Sequence, residues 1–369
     1  MNKRINVAMI GVGAISGIYL QNITGVFSDK LCLVGVCDLI RERAEAAQKK
    51  YGIPKIYETM HDAFADPEID LVLNITRPYE HYEVTRAALL AGKNVYSEKP
   101  LGATFEEGKA LVELARERGL YLGGAPDTFL GAGIQTARRV IDEGKIGTPI
   151  GAVAAMTCHG HESWHPDPEF YYKFGGGPML DMGPYYITAL INLMGGVSEV
   201  SGVSKKSFDE RLITSEPHNG EIIKVDVPTY VTGTLIFDNG AVGTIFTTFD
   251  IYGGDGCRID IYGTEGTLSV PDPNGFGGPV RLLHKDGSSE DIPVSDFRFD
   301  QNSRALGLTD MALSIAEGRH SRCSYDQTFH VLEIMTMIQK SSDEGRRIKL
   351  TTHFDRCEPM PTTASEEIL

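Results

Sequence analysis

Residues 5–17 contain the feature that most constrains the fold: an apolar run enters two glycines, Gly11 and Gly13, and a helical pattern begins at Ala14. A strand, a tight turn and a helix N-terminus in this order let the backbone approach a pyrophosphate, because glycine permits the turn and lacks a Cβ that would collide with phosphate. The helix adds unpaired N–H groups and the positive end of its dipole. Ser16 replaces the third glycine of the usual G-x-G-x-x-G pattern. We therefore predict a dinucleotide site at Gly11, Gly13, Ala14 and Ile15.

A second buried-strand pattern, residues 31–37, ends in an acid, Asp38. Its spacing from the glycines is close to that of the carboxylate that binds the adenosine ribose in such folds. A carboxylate there accepts hydrogen bonds from ribose hydroxyls and repels a 2′-phosphate, so NAD is favoured over NADP. Arg41 and Arg43 follow and can soften that preference. The alternative is that Asp38 only caps the helix that begins near Arg41.

Composition places the chain among ordinary soluble enzymes. It has 369 residues, enough for two domains, and a net charge of −15, which disfavours a nucleic-acid partner. No run approaches the ~20 apolar residues of a membrane span. The six cysteines are scattered without a C-x-x-C pair, which predicts reduced thiols and a cytoplasmic location.

The pattern changes along the chain and predicts two domains. Residues 1–125 alternate apolar strands with helices, as in a doubly wound parallel sheet of the Rossmann type. Its strands are expected at 5–11, 31–38, 70–76, 93–97 and 120–124. Residues 126–369 are expected to form an α+β domain for substrate binding and oligomerisation. Its period-two runs predict an open, mostly antiparallel sheet with helices on one face, and late helices are expected at about 301–317 and 326–344.

The run from Thr229 to Asp250 is a hairpin pattern that turns at Asp238, Asn239 and Gly240. Neither face of this hairpin is strongly charged, and an open sheet with an uncovered side has to be covered. We therefore expect a homodimer or homotetramer.

A Glu-Lys-Pro element, Glu98, Lys99 and Pro100, follows the strand pattern at 93–97. In open α/β sheets, ligands bind beyond the carboxyl ends of the strands. A lysine there can hydrogen-bond a substrate hydroxyl beside a nicotinamide and assist proton transfer, and Glu98 can tune it electrostatically. The alternative is a surface Glu–Lys pair in a turn.

These elements, together with Thr76-Arg77-Pro78, His81 and Ala91-Gly92-Lys93, resemble the Gfo/Idh/MocA oxidoreductase family over about residues 4–345. The family includes glucose–fructose oxidoreductase and inositol dehydrogenases. The resemblance implies a Rossmann domain before an open sheet domain, Lys99 near the nicotinamide and the reacting carbon, and a segment from Thr76 to His81 that lines the cofactor. The expected NAD-binding residues are Gly11, Gly13, Ala14, Ile15, Asp38, Thr76, Arg77, Pro78, His81, Glu98 and Lys99.

Residues 175–186 are similar to the family's glycine-rich lead into D-x-G-x-H. In the family, the Asp orients sugar hydroxyls and the His acts in an acid–base relay. Here Asp181 matches the Asp, but Tyr185 stands at the His position; in a helix the two would share one face. A phenol titrates near pH 10, so it is a poor base near neutrality unless a cation such as Lys99 lowers its pKa. Packing of Tyr185 between domains is the alternative.

The loop at 158–169 holds three histidines and the only tryptophan, Trp164. Trp164 can stack on a sugar ring, and His159, His161 or His165 can supply the missing imidazole. We expect His165 in the proton path and His161 and Trp164 at the substrate. The spacing fits no standard zinc pattern, so no metal site is predicted.

The resemblance implies an NAD-dependent dehydrogenase acting on a CH–OH group of a sugar, glycoside or cyclitol. Its expected catalytic residues are Lys99, Asp181, Tyr185 and His165. Two alternatives stay open: redox-assisted elimination of a glycoside with retained NAD, and a non-catalytic dinucleotide-binding sensor. The intact Lys99 and Asp181 argue against the sensor.

Overall fold

The computed structural model describes residues 4–253, 256 and 258–365. Within these residues the chain divides into two compact units. The first comprises 4–130 and 302–329, and the second comprises 131–301 and 330–365. The domain boundary predicted at residue 125 stays a prediction. Among the described helices, none is both long enough and apolar enough to cross a bilayer.

The first unit alternates strands and helices. Its strands are β1 (Ile5–Ile10), β2 (Leu31–Cys37), β3 (Lys55–Ile56), β4 (Leu71–Asn74), β5 (Asn94–Ser97) and β6 (Leu122–Gly124). Its helices before the end of β6 are α1 (Ser16–Thr24), α2 (Arg41–Tyr51), α3 (Met60–Ala65), α4 (His81–Leu90) and α5 (Phe105–Arg118).

The strands of this unit form a parallel sheet in the order β3-β2-β1-β4-β5-β6. β4 is buried at all four positions, as expected for a strand covered on both faces. Because β1 pairs with both β2 and β4, the sheet changes winding direction at β1. The carboxyl ends of β1, β2, β4 and β5 therefore lie along one edge, where such sheets bind ligands.

The last strand of the sheet, β6, is covered by a late segment of the chain. The N–H of Gly124 donates to the carbonyl of Cys323 at 3.0 Å, and Gly123 forms an isolated antiparallel bridge with Ser324. A Cβ at Gly123 would lie 1.8 Å from the same carbonyl, so only glycine permits this approach. Segment 302–329 thus belongs to the first unit through backbone pairing.

The second unit is built on a nine-stranded sheet. Its helices are α6 (Ala132–Asp142), α7 (Pro178–Asp181) and α8 (Gly183–Met194), while α9 (Leu306–Glu317) belongs to the first unit and α10 (Tyr325–Glu344) is divided between the units. The strands are β7 (Pro149–Thr157), β8 (Val197–Lys205), β9 (Glu210–Leu212), β10 (Ile222–Lys224), β11 (Tyr230–Phe237), β12 (Val242–Thr248), β13 (Arg258–Gly263), β14 (Gly266–Val270), β15 (Val280–His284), β16 (Ser289–Ile292) and β17 (Ile348–Lys349).

The nine strands follow the order β16-β15-β14-β13-β7-β12-β11-β8-β17, and β9 pairs with β10 separately. All of the pairings are antiparallel except β7 with β12. Because β7 and β12 are parallel, the loops that follow them leave the sheet at the same edge.

The predicted fold class, a Rossmann sheet followed by an open and mostly antiparallel sheet, is confirmed. The hairpin predicted from 229 to 250 is β11 and β12, and its turn uses Gly240 at φ 84°. The short strands β3, β9, β10 and β17 and the strands β14 to β16 were not predicted. They are two to five residues long or carry polar residues on both faces, so their period-two signal is weak.

A buried acid supports the first turn of α9. Asp127 is 1% exposed, and its Oδ2 accepts the N–H of Gly307 at 3.1 Å. Burial raises the pKa of Asp127 to about 6, against the opposing effects of the Gly307 hydrogen bond and the charge of Arg304, and nearby Glu98 adds to the rise. The folded state therefore binds this proton more tightly than the unfolded chain. The stabilising effect is complete below the unfolded pKa, near 3.9, and is lost as the pH rises through about 6.

We expect Asp127→Asn to become more stable relative to the natural protein as the pH rises from 5 to 7.5. The amide keeps an acceptor for Gly307 but has no charge to bury. The raised pKa corresponds to about 3 kcal/mol of unfolding free energy over the whole titration, of which about 1.4 kcal/mol falls between pH 5 and 7.5. Melting temperatures at both pH values measure the effect. Asp29→Asn is the matched control, because the Asp29 side chain is 67% exposed. Equal pH dependence of the two variants would contradict the assignment.

Candidate active site

The glycine loop after β1 combines one structural glycine with one that leaves open space. Gly11 has φ 97°, and a Cβ there would lie 2.7 Å from the carbonyl of Ile75. A Cβ at Gly13 would have no described atom within 4 Å. The hydroxyl and N–H of Ser16 donate to the Gly13 carbonyl, and α1 begins at Ser16 rather than at the predicted Ala14. No described side chain caps α1, so the N–H groups of its first turn beyond Ser16 have no side-chain acceptor, as a pyrophosphate site requires.

Asp38 lies beside this loop. Its Oδ2 accepts the N–H of Val12 at 2.6 Å, and its Oδ1 accepts the N–H of Ile40 at 2.7 Å. Ile40 is the N-cap of α2, which has no side-chain cap, so the alternative role of Asp38 as a helix cap is not observed. Arg41, which can soften the preference for NAD, forms ion pairs with Glu45 and Glu58. The carboxylate is therefore fixed beside the glycine loop by two backbone N–H groups, and its contact with the ribose stays a prediction.

The loop after β4 is held by two buried side chains. Asn74 accepts hydrogen bonds from the N–H and hydroxyl of Thr76, at 3.3 and 2.8 Å. His81 lies with its ring nitrogens 2.8 Å from the Pro100 carbonyl and 3.1 Å from the Thr76 carbonyl, and burial lowers its pKa. His81 thus links the loop after β4 to the one after β5. Its contact with the dinucleotide stays a prediction, as do those of Thr76, Arg77 and Pro78.

Glu98 and Lys99 do not form an exposed surface pair. Glu98 is 8% exposed, its Oε1 accepts the Tyr19 hydroxyl at 2.7 Å, and its Oε2 accepts the N–H of Lys99 at 3.0 Å. The N–H of Glu98 donates to the Asn74 carbonyl at 2.7 Å. Burial and the charge of Glu98 raise the pKa of Tyr19 well above its ordinary value, so Tyr19 remains a proton donor. Lys99 is half-buried on this fixed support at the carboxyl edge of the sheet.

In the second unit, glycines bring α7 against a short 3₁₀ turn at Glu169–Tyr172. Gly177 has φ 87° and donates its N–H to the Tyr171 carbonyl at 2.7 Å. A Cβ at Gly176 would lie 2.4 Å from the Phe170 carbonyl. Asp181 ends α7, and its N–H donates to the Gly177 carbonyl at 2.9 Å. The glycine-rich segment therefore positions Asp181 beside the aromatic turn.

The imidazole of His161 lies next to the carboxylate of Asp181. Nε2 of His161 is 3.6 Å from Oδ2 of Asp181. The ring stacks on Tyr171 with centroids 3.8 Å apart and contacts the edge of Phe249 at 4.7 Å. The structure therefore brings together two predicted site residues, His161 and Asp181.

The predicted site residues Tyr185, His165 and Trp164 have different surroundings. Tyr185 is buried in the first turn of α8, which is separated from α7 at Met182 because Pro184 cannot donate a backbone hydrogen bond. His165 is buried, and its Nδ1 accepts the N–H of Asp167 at 3.0 Å. Trp164 is 61% exposed and lies with its ring centroid 5.4 Å from that of His161. Their functional roles stay predictions.

A buried ionic cluster next to His161 was not predicted. The guanidinium of Arg211 pairs with Glu162 at 3.0 Å and with Asp250, and it donates to the Phe249 carbonyl at 2.9 Å. The side chains of Arg211 and Asp250 are each 4% exposed. Glu162 also accepts the hydroxyl of Tyr172, whose pKa is raised by burial and by Glu162. The three charged residues come from three separate segments of the chain. The one clue to the cluster in the sequence is Arg211, a charged residue at the buried position of the three-residue strand β9.

The parallel sheet, the open space at Gly13, the fixed carboxylate of Asp38 and the supported Lys99 define a dinucleotide-dependent oxidoreductase of the Rossmann type. Among the described residues, no group of three or more His, Cys, Asp or Glu side chains is arranged to hold a metal ion.

Comparison with known proteins identifies the family. A sequence model described as "Oxidoreductase family, NAD-binding Rossmann fold" matches residues 5–124, and one described as "GFO/IDH/MocA C-terminal domain" matches residues 134–269. The chain belongs to the Gfo/Idh/MocA family of NAD-binding oxidoreductases. The predicted family, enzyme class and NAD cofactor are confirmed.

Similar proteins act on sugars and cyclitols. The chain is 29% identical to scyllo-inositol 2-dehydrogenase (NAD(+)) of Bacillus subtilis (strain 168), over 81% of this chain and 82% of that protein. It is 28% identical to D-glucoside 3-dehydrogenase of Escherichia coli (strain K12), over 94% and 97%. The structure of levoglucosan dehydrogenase in complex with NADH and L-sorbose superposes with a TM-score of 0.82 at 21% identity, over 95% and 99% of the two chains, which establishes the shared fold.

We expect Gly13→Val to raise the dissociation constant for NAD at least about tenfold while leaving the melting temperature of the apo protein unchanged. The side chain enters the open space that fits the pyrophosphate, where a Cβ meets no described atom within 4 Å. Gly11→Ala should instead lower the melting temperature, because its Cβ meets the Ile75 carbonyl at a positive φ. Calorimetric titration and thermal melts measure both effects. Unchanged NAD affinity in Gly13→Val would place the dinucleotide elsewhere.

Proposed function

We propose that the protein is an NAD-dependent dehydrogenase that oxidises a secondary alcohol of a sugar, glycoside or cyclitol. The observation that carries this proposal is the support of Lys99 at the carboxyl edge of the sheet, through the buried carboxylate of Glu98. NAD, when bound, supplies the hydride acceptor. The ammonium of Lys99 hydrogen-bonds the oxygen that loses its proton and stabilises the negative charge that develops there.

The other residues of the first unit bind and orient the dinucleotide. Gly13 and the N-terminus of α1 receive the pyrophosphate, and Asp38 accepts hydrogen bonds from the adenosine ribose. The carboxylate also repels a 2′-phosphate, which favours NAD over NADP. The segment from Thr76 to Pro78 follows β4 and lies along the nicotinamide half.

The substrate class is supported by the side chains of the second unit. Asp181 accepts hydrogen bonds from substrate hydroxyls, and the exposed face of Trp164 offers a surface for the apolar face of a sugar ring. The relatives named for inositol and glucoside substrates agree with a polyhydroxylated ring.

The test is anaerobic absorbance at 340 nm with NAD and a panel of sugars, glycosides and inositols. We expect NADH to form with a member of this panel and the rate to fall about 10³-fold in Lys99→Met. Lys109→Met is the matched control, because Lys109 lies on the exposed face of α5 with a 56% exposed side chain. Cleavage of a glycoside without net NADH would instead indicate redox-assisted elimination. NAD binding without any turnover would indicate a sensor.

We also propose a homodimer or homotetramer that uses the outer face of β8, β11 and β12. Outward residues of β11 alternate with buried ones, and Val203 on β8 is 67% exposed. The thiols of Cys32 and Cys37 are free, and together with the scattered spacing of the six cysteines they support a reducing, cytoplasmic location; Cys257 lies outside the described residues.

Light scattering after gel filtration tests the assembly. We expect a mass of two or four times 40.3 kDa, and a lower mass for Val203→Arg, which introduces a charge on the proposed interface. Val26→Arg is the matched control, because Val26 is 65% exposed in the first unit. A monodisperse monomer of the natural protein would refute the proposal.

A further inference from the structure

The second unit holds an imidazole against the carboxylate proposed to contact the substrate. Nε2 of His161 and Oδ2 of Asp181 are 3.6 Å apart, a distance at which a protonated imidazole forms an ion pair with the carboxylate. Their side chains are 10% and 14% exposed. The two side chains are therefore mostly buried but keep some contact with solvent.

The orientation of this imidazole is fixed by its surroundings. Tyr171 stacks on one face almost in parallel, at an interplanar angle of 6°, and Phe249 contacts the ring edge-on. The N–H of His161 donates to Oε2 of Glu162 at 2.9 Å, and Glu162 is paired with Arg211. Because Arg211 also binds the carbonyl of Phe249, one guanidinium links the backbone of His161 to the aromatic residue at the edge of its ring.

The two other histidines of this loop are less suited to exchange a proton. Nδ1 of His165 accepts the N–H of Asp167, a bond that requires this nitrogen to be unprotonated. The ring of His159 stacks on Tyr252, and its Nε2 lies 3.4 Å from Nη1 of the Arg211 guanidinium. His161 lies against a carboxylate, that of Asp181.

We expect the residue at the family's histidine position, Tyr185, to be a poor substitute for that imidazole. Tyr185 is a phenol, which ordinarily titrates near pH 10, whereas an imidazole ordinarily titrates near 6.5. It is also buried in α8, beyond the break that separates this helix from α7 and Asp181. A group that titrates near neutrality is therefore supplied from a different segment.

We propose that His161 holds the proton that leaves the substrate hydroxyl by way of Asp181. The substrate O–H bond breaks while its electron pair stays on oxygen, and the proton moves to the Asp181 carboxylate and then to Nε2 of His161. An imidazolium–carboxylate pair results, and it releases the proton to water. The hydride leaves carbon for the nicotinamide as in the proposed function, on which this inference rests.

Several titratable or charged groups face the pair and set its pH response. Tyr171 faces it from the 3₁₀ turn, and Glu162 and His165 lie on its own loop. Arg211 from β9 and Asp250 after β12 lie behind Glu162. One guanidinium against two carboxylates leaves a negative balance there, which favours the imidazolium once the proton has arrived.

The first experiment is the pH dependence of kcat/KM for alcohol oxidation. We expect an acidic limb from the His161–Asp181 pair, lost in His161→Gln together with about 10²-fold of the rate near neutral pH. His353→Gln is the control and should keep the limb, because the His353 side chain is 68% exposed elsewhere in the second unit. In His161→Ala, added imidazoles should restore activity in proportion to their basicity, an effect that a purely structural role does not produce. A limb kept in His161→Gln would overturn the proposal.

The second experiment needs no substrate and therefore separates this inference from the proposed function. NMR of ¹⁵N-histidine-labelled protein follows the titration of His161, which is assigned by loss of its signals in His161→Gln. We expect the pKa of His161 to fall in Asp181→Asn, because the imidazolium loses its carboxylate partner. An unchanged His161 titration in that variant, with the melting temperature preserved, would overturn the pairing even if the enzyme proves to be a dehydrogenase.

Discussion

The close approach of the loops after β1 and β4 is the constraint on which the first unit depends. The backbone of Gly11 lies against the carbonyl of Ile75 with no room for a Cβ, at the point where the sheet changes its winding direction. Because β1 pairs on both sides with parallel strands, this contact fixes where the polar ends of the strands meet. Gly13, Asp38 and Lys99 all follow strands of this sheet at the same edge, and glycine at position 11 lets the first of these loops pass close to the loop after β4.

Local sequence patterns predicted those strands, turns and loops whose periodicity or glycine spacing is visible within a short stretch of sequence. The glycine loop, the acid after β2 and the buried run of β4 could be recognised because strand periodicity and glycine spacing are local properties. The hairpin of β11 and β12 could be predicted because Asp238, Asn239 and Gly240 are typical turn residues between two alternating runs. The strand pattern also predicted Lys99 at a ligand-binding edge, and the family resemblance added its place near the reacting carbon and the role of Asp181.

The support of the site could not be predicted, because it depends on side chains that meet only in the folded chain. Nothing near Glu98 in the sequence indicates Tyr19, and nothing near Glu162 indicates Arg211 or Asp250. Periodicity tells which face of a strand is buried, but it does not tell which buried charges share that space. The break between α7 and α8 follows from Pro184, yet which histidine then lies at Asp181 is decided by tertiary packing around Tyr171.

The pairing of β6 with the segment around Cys323 has a consequence for how the protein is made. During synthesis the ribosome completes β1 to β6 early, but it must also produce 131–301 before the segment that covers the last strand emerges. Until then the nascent Rossmann sheet carries an open edge, the kind of surface on which chains associate wrongly. The chain order thus makes the nucleotide-binding half, although first to be translated, dependent on a late segment for its completion.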